Sequence, residues 1–308
     1  MGFRLRDFGA YTVGGRLHHV SEGEPHQIAV TRDVTLTVDP RGHYAVEHAY
    51  VQYFIPEARR PGPAVVLLHG GGMCGTVWEG LPGERKGWLH LLLDRGYEVH
   101  VVDIVERGRA GFAPDLWDGA PVLRSMEDAW TLFRIGPTEG FATRTPFPDQ
   151  RFPVSDMEAL ARLFVPRWLS TAALQQAALH ALLVRLGGPI VICHSQGAET
   201  VFGAVAEGAP IDRIIAVEPS ADPRAPDRFA GVPMVIAAGD HLDHSELWRG
   251  LSTRWQHSVA TLTASGAHAT ILSKDTSLAP GHSHLPMLDA GHDDYLDACL
   301  TACGLSDR

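Results

Sequence analysis

The sequence of 308 residues has few cysteines and no long apolar run, and each absence excludes a class of protein. No stretch approaches the roughly 18 consecutive apolar residues that span a bilayer, so we expect no membrane partner. Four cysteines are too few and too scattered for a disulfide framework. We expect Cys299 and Cys303, one helical turn apart, to be buried thiols on one helix face. The N-terminus lacks the apolar segment of a secretory signal, so a cytoplasmic location is expected.

Basic residues are also scarce. The chain has 26 lysines and arginines against 36 acidic residues, which gives a formal net charge of -10. A nucleic-acid partner requires clustered basic side chains that neutralise phosphates, so we expect no such partner. Hydrophobic residues make up 45% of the chain and charged residues 20%, which is typical of a globular protein that buries a sizeable core.

Short apolar runs bounded by glycine and proline predict strands that are buried on both faces. These runs are Ala64–Leu68, Glu98–Ile104, Ile190–Ile192, Ile214–Val217, Met234–Ala237 and Ala267–Ser273. Helical patterns lie between several of them, at about Gly87–Arg95, Thr171–Leu186, Gln196–Glu207 and Ser245–Trp255, with a C-terminal helix from about Gly291. Strands that alternate with helices predict an α/β fold with a mostly parallel sheet. Before them, Ile28–Val38 and His48–Ile55 alternate like antiparallel strands at a sheet edge.

The interval between the second and third apolar runs is too long for a single crossover. About 85 residues separate Ile104 from Ile190, whereas a crossover with its helix takes only a few tens. The additional residues, roughly 111–170, are rich in aromatic residues and proline. We therefore predict one domain over 1–308 with a cap inserted at about 107–180. Most of these aromatic rings are expected to form the core of the cap, and a few to face what lies beneath it.

A candidate nucleophile follows the third apolar run, where Cys193-His194-Ser195-Gln196-Gly197 leads from a strand into a helix. This is the strand–turn–helix context of the G-x-S-x-G nucleophile elbow, which needs small residues two positions before and after the serine. Cys193 replaces the first glycine but is still small. The helix N-terminus behind Ser195 offers free N–H groups to a developing negative charge.

A glycine-rich loop follows the first apolar run as His69-Gly70-Gly71-Gly72. Loops of this HGGG type supply an oxyanion donor in the same fold, and no Walker lysine is present to suggest phosphate binding. We predict the backbone N–H groups of Gly71 and Gln196 as the donor pair.

The base and the acid must follow the serine, because the order in this fold is Ser, acid, His. His282 and His284 lie in the loop before the C-terminal helix, and His268 and His292 are further candidates. Glu218 and Asp240 each end a predicted strand, and either could orient the histidine. His241 with His244, or His282 with His284, has weak metal-ligand spacing. We predict no catalytic metal and no cofactor.

The sequence resembles bacterial esterases of the esterase 713 type within the α/β-hydrolase superfamily. The resemblance runs through Tyr50-Val51-Gln52-Tyr53, His69-Gly70, Gly87-Trp88, Gly108-Arg109, Ala129-Trp130, His194-Ser195-Gln196-Gly197, Val217-Glu218-Pro219, Gly239-Asp240-His241 and Ser283-His284. It implies a Ser195, His284 and Glu218 triad, action on carboxylic esters, a cap over the site and a possible homodimer. Two departures, Gly71-Gly72 in place of cysteines and Glu106 in place of a small residue, bear on substrate preference.

The predicted reaction is therefore hydrolysis of a fairly apolar ester through an acyl-enzyme, with a small-molecule ester or lactone as the partner. A lactonase or a C–C bond hydrolase would use the same triad, and an aromatic cap would suit a bulky ring substrate. A non-catalytic binding protein on this fold is the alternative from another class. It would have no use for a serine, a histidine, a carboxylate and a glycine loop together.

Overall fold

A computed structural model describes residues 4–80 and 85–305. Its central element is a sheet of eight strands, and two further strands form a separate small sheet. Within these residues the strands are β1 (Leu5–Val20), β2 (His26–Thr31), β3 (Val34–Val38), β4 (Gly42–Pro56), β5 (Val65–Leu68), β6 (Val99–Asp103), β7 (Ile190–His194), β8 (Arg213–Val217), β9 (Pro233–Ala237) and β10 (His268–Leu272). The helices are α1 (Trp88–Asp94), α2 (Met126–Leu132), α3 (Met157–Ala161), α4 (Ala172–Leu186), α5 (Gly197–Ala206), α6 (Glu246–Ala264) and α7 (His292–Ala302).

The strand order in the large sheet is β1-β4-β6-β5-β7-β8-β9-β10. β4 pairs antiparallel with both β1 and β6, whereas every pair from β6 to β10 is parallel. The six predicted apolar runs are the six parallel strands, and helices connect most of them. The predicted α/β class with a mostly parallel sheet is therefore confirmed.

The N-terminal part differs from the prediction of two antiparallel strands. The segment Ile28–Val38 is split by a turn at Arg32 and Asp33 into β2 and β3, which pair with each other in a separate two-stranded sheet. The edge of the large sheet is instead β1, a strand that the sequence analysis missed. Nearly all side chains of these three strands are at least partly exposed, so their hydrophobic pattern carries little information about pairing.

Alternate side chains of the parallel strands enter two cores, one on each face of the sheet. On β5, Val65 and Leu67 pack in the core that includes α1 and α7, while Val66 and Leu68 pack in the core that includes α4 and α5. This alternation follows from the two-residue period of a strand. Cys299 of α7 and Cys303, which directly follows α7, are free and buried in the first core, as the sequence predicted.

The long interval between β6 and β7 holds α2, α3 and several short 3₁₀ turns, and an isolated bridge ties Val122 to Arg167. Most of its aromatic rings were expected to form a core of the cap itself. They pack instead in the two cores of the sheet. Trp130 and Phe152 extend the core on the α1 face, and Trp117 and Trp168 extend the core on the α4 face.

Candidate active site

Ser195 lies in a strained turn between β7 and α5. Its φ is 51°, a left-handed value that is costly for a residue with a β-carbon and that is found at nucleophile elbows. Gly197 makes this turn possible, because a β-carbon there would lie 2.5 Å from the backbone oxygen of His69. The elbow therefore presents Ser195 at the carboxyl end of the sheet, where its side chain is partly exposed.

Glu218 follows the end of β8 just as Ser195 follows the end of the neighbouring strand β7. His194 of β7 pairs with Val217 of β8, so Ser195 and Glu218 are the first residues past two adjacent strand ends. Glu218 also has a positive φ, 46°, and its side chain is completely buried. This bend directs the carboxylate along the edge of the sheet toward the loop that follows β10.

His284 and Glu218 are in direct contact. The Nδ1 of His284 bonds to Oε2 of Glu218, which leaves Nε2 as the nitrogen that can accept a proton. Oε1 accepts hydrogen bonds from Nη2 of Arg134, at 2.5 Å, and from the N–H of Gly239, at 2.6 Å. Burial opposes ionisation of Glu218, but the Arg134 charge and the bond to His284 outweigh it and lower the pKa of this carboxyl to about 2.

The His284 ring is enclosed by other rings. The ring centroids of His194, Trp248 and Phe133 lie 4.5, 4.7 and 5.3 Å from its own. Burial lowers the pKa of His284 below 6.5, although the Glu218 carboxylate acts in the opposite direction. A neutral imidazole at neutral pH is the form that a general base requires.

The alternative acid and base are held elsewhere. Asp240 pairs with Nζ of Lys274 at 2.8 Å and accepts from the backbone N–H of Gly281 at 3.0 Å. His282 bonds through Nδ1 to Asp289 at 3.1 Å. The structure thus brings together Glu218 and His284, and it places Asp240 and His282 in contact with other partners, Lys274 and Asp289.

One cavity of about 310 Å³ contains Ser195, His284, Gly71 and Gln196 in its wall. Apolar side chains form much of the rest, namely Met73, Leu132, Phe133, Leu247, Trp248 and Leu251. Charged side chains also line it, namely Arg124, Arg167, Glu199 and Arg254. A wider groove of about 610 Å³ shares Glu199, Ser220 and Arg254 with this cavity.

The two predicted oxyanion donors face the same space. Within the described residues, the structure records no hydrogen-bond acceptor for the backbone N–H of Gly71 or of Gln196. The glycine loop is held by Arg107, whose Nη1 bonds to the backbone oxygens of Gly70, at 3.3 Å, and Met73, at 3.2 Å. These bonds fix the conformation of the loop through its carbonyl groups. The amide N–H of Gly71 is therefore not needed to hold the loop and can bind an oxyanion.

Sequence reasoning missed three arginines of this site. Arg134 binds Glu218, Arg107 binds the glycine loop, and Arg167 lies against Gly71. Arg107 pairs with Glu106 at 2.8 Å, and both side chains are fully buried. An adjacent Glu-Arg pair after a strand end was the one available signal, whereas Arg134 and Arg167 lie in a segment without a recognisable pattern.

The histidines considered as metal ligands are engaged separately. His282 and His284 bind different carboxylates, and the rings of His241 and His244 both pack on Phe147, at 4.2 and 4.4 Å between centroids. A group of side chains that could hold a cation is formed by Asp149, Asp240 and His241, whose ligand atoms lie within 4.8 Å of one another. Nε2 of His241 lies 3.0 Å from Oδ1 of Asp149, and Asp240 pairs with Lys274.

Comparisons with known proteins agree with the fold. No protein-family model matches the sequence. A solved structure of a bacterial esterase is 27% identical, with a TM-score of 0.85, and the alignment covers 99% of this chain and 97% of that one. A curated relative named "Probable secreted lipase phiG", from a fungal species (strain ATCC 74256), is 28% identical over 191 residues. That alignment covers 59% of this chain, which spans about half (52%) of the relative's length.

The sheet order, the elbow and the likeness to the bacterial esterase over nearly the whole chain define the class. The chain has the α/β-hydrolase fold. The resemblance to bacterial esterases with this fold is also confirmed.

The expected cytoplasmic location is contradicted by the name of the fungal relative, which describes a secreted protein. The expectation rested on a missing apolar leader, and this is weak support because such leaders are removed from mature proteins. No helix in the described part of the chain has the length and hydropathy to cross a membrane.

Proposed function

We propose that this chain is a serine hydrolase that cleaves carboxylic esters through an acyl-enzyme intermediate. The observation that supports this most strongly is the contact of buried Glu218 with His284 beside the cavity that contains Ser195. In an α/β hydrolase this is the position of the acid and the base that activate the nucleophile. The esterase and lipase names of the two relatives agree with ester hydrolysis.

The first step is the attack of Ser195 on the ester carbonyl. Nε2 of His284 takes the hydroxyl proton while Oγ forms the new bond to carbon, and Glu218 stabilises the imidazolium that results. The backbone N–H groups of Gly71 and Gln196 bind the oxyanion. When the tetrahedral intermediate collapses, the C–O bond to the alcohol breaks and His284 returns the proton to the alcohol oxygen.

In the second step water is the nucleophile and Ser195 is the leaving group. Water donates a proton to Nε2 of His284 and attacks the acyl carbon, and the bond to Ser195 then breaks. The carboxylic acid leaves, and Ser195 regains its proton. No metal or cofactor is needed for either step.

We also propose that the segment 107–180 acts as a cap. Its residues Arg124, Leu132, Phe133 and Arg167 line the cavity above Ser195. A cap in this position would determine which esters reach the nucleophile.

The test is hydrolysis of p-nitrophenyl acetate, butyrate and octanoate by the wild type and by Ser195→Ala. We expect a loss on the order of 10⁴–10⁶ in kcat for the variant. A fluorophosphonate probe should label the wild type and leave Ser195→Ala unlabelled. If the wild type neither turns over these esters nor reacts with the probe, the hydrolase proposal fails and a binding function is favoured. Matched open-chain and cyclic esters then distinguish an esterase from a lactonase.

A further inference from the structure

Arg167 carries a positive charge into the cavity without a fixed partner. Within the described residues, its guanidinium makes no hydrogen bond and no ion pair, and its Nε has no acceptor although solvent cannot reach it. The group lies so close to the glycine loop that a β-carbon at Gly71 would overlap Nη1. A guanidinium has five donors, and leaving them unsatisfied in a partly buried site is costly.

Arg124 lies beside it on the same wall of the cavity. The bridge between Val122 and Arg167, closed by two backbone hydrogen bonds of 2.8 and 3.2 Å, brings Arg124 and Arg167 close together. Arg124 bonds through Nη1 to Asp128, but its Nε has no acceptor and solvent cannot reach it. Burial lowers the pKa of Arg167, the charges of Glu106 and Glu199 oppose this shift, and the like charge of Arg124 adds to it.

The other charged side chains of the cavity leave the guanidinium of Arg167 and the Nε of Arg124 available. Arg254 is occupied by Asp222, to which Nη2 and Nε donate at 2.6 and 2.9 Å. Glu106 and Glu199 act on Arg167 only through their charges and make no hydrogen bond to its guanidinium. Two adjacent cationic groups with free donors, next to the nucleophile, form a site for an anionic group.

We propose that the ester substrate carries a carboxylate, which binds to Arg167 and Arg124 while the ester carbonyl lies at Ser195. This inference rests on the proposed function and names the substrate class of the same site. A planar guanidinium matches the two oxygens of a carboxylate, which gives both orientation and binding energy. The expectation of a fairly apolar ester is thereby narrowed to an ester with an apolar part and an acidic part.

Stabilisation of the oxyanion is the competing role for Arg167. The amides of Gly71 and Gln196 are already free for the oxyanion, so this role does not require Arg167. The two roles also differ in what they predict. An oxyanion contact acts on every ester, whereas a carboxylate contact acts only on acidic ones.

The test compares each acidic ester with a neutral isostere. Monoethyl glutarate is paired with ethyl 5-methylhexanoate, and 4-acetoxybenzoate with 4-isopropylphenyl acetate, so that the carboxylate lies on either the acyl or the alcohol side. We expect at least one acidic ester to exceed its isostere in kcat/KM about tenfold or more. A charged hydrogen bond of about 1.5–3 kcal/mol corresponds to this ratio.

The variant Arg167→Leu should bring that ratio close to one, and Arg167→Lys should restore part of it because the charge returns without the planar fork. Arg162→Leu is the matched control, because this substitution removes the same charge from the same segment. The side chain of Arg162 is 77% exposed. It should retain the preference for the acidic ester.

Two results would overturn the proposal. One is that neither acidic ester is preferred, and the other is that Arg167→Leu slows acidic and neutral esters by the same factor. If neutral esters are hydrolysed and the fluorophosphonate probe labels Ser195 in either case, ester hydrolysis stands and only the carboxylate site is lost. If no ester is turned over and no label appears, the hydrolase proposal itself has failed.

Discussion

Arg134 donates from Nη2 to Oε1 of Glu218 across 2.5 Å, and 1% or less of either side chain is exposed. The same arginine donates from Nε to the backbone oxygen of Asp240 at 2.6 Å and lies over the Trp248 ring, 4.1 Å from its centroid. One buried cation thus fixes the carboxylate that holds His284 and joins two strand ends. Its removal would leave the Glu218 charge with less compensation.

We predict that Arg134→Leu destabilises the protein by about 3–5 kcal/mol, because breaking a buried ion pair leaves an uncompensated charge. Urea unfolding measures the change. The double variant Arg134→Leu, Glu218→Leu should lose less than the sum of the two single variants, because the pair is removed together. Additive losses would contradict the interaction.

The same pair predicts a pH dependence of stability. Because the folded pKa of Glu218 is about 2, below the usual 4.5, its contribution is present above pH 4.5 and is lost as the pH falls toward 2. In Arg134→Leu the folded pKa rises, so this contribution should be smaller and should disappear at a higher pH. Unfolding free energies measured between pH 3 and 7 would show the difference between the two proteins.

Another prediction concerns the acid of the triad. Glu218→Gln should lower kcat on the order of 10⁴-fold, as in other triads whose acid becomes an amide. Asp240→Asn is the matched control, because Asp240 ends the next strand but bonds to Lys274 and to backbone amides. It should retain most of the turnover. The opposite pattern, with Asp240→Asn inactive and Glu218→Gln active, would assign the acid to Asp240.

How far the sequence predicts this molecule depends on the kind of pattern. Apolar runs and glycine-bounded turns locate the six parallel strands and the elbow at Ser195, because buried strands and strained turns restrict residue type. The exposed strands β1 to β3 carry no such restriction, so β1 was missed and β2 and β3 were read as one strand. Arg134, Arg107 and Arg167 reach the site through the tertiary fold, which no local spacing records.

The choice of Glu218 over Asp240 shows the same limit within the site. Both residues end buried strands, so the residues alone left either acid open, and only the family resemblance favoured Glu218. The structure separates them through their partners, His284 for one and Lys274 for the other. The partners lie 66 and 34 positions away in the sequence, a separation that no motif spans.

A separate prediction concerns the elbow itself. Gly197→Ala would place a β-carbon 2.5 Å from the backbone oxygen of His69, and a backbone atom cannot move aside cheaply. We expect a loss of about 1–3 kcal/mol in unfolding free energy, typical of overpacking, together with lower kcat. Gly250→Ala is the control, since this glycine lies within α6 and a β-carbon there meets nothing within 4 Å. It should be neutral or stabilising.

The final prediction concerns the pH dependence of catalysis. Protonated His284 cannot accept the proton of Ser195, so kcat/KM should fall as the pH drops through the pKa of this histidine. Burial lowers that pKa below 6.5, so the acid limb should have its midpoint below pH 6.5. A profile of kcat/KM between pH 4 and 9 on a neutral ester measures it. His282→Gln is the matched control, because His282 bonds to Asp289 instead of Glu218 and its loss should leave the midpoint in place. A midpoint above 6.5, or one that moves in His282→Gln, would contradict the assignment of His284 as the base.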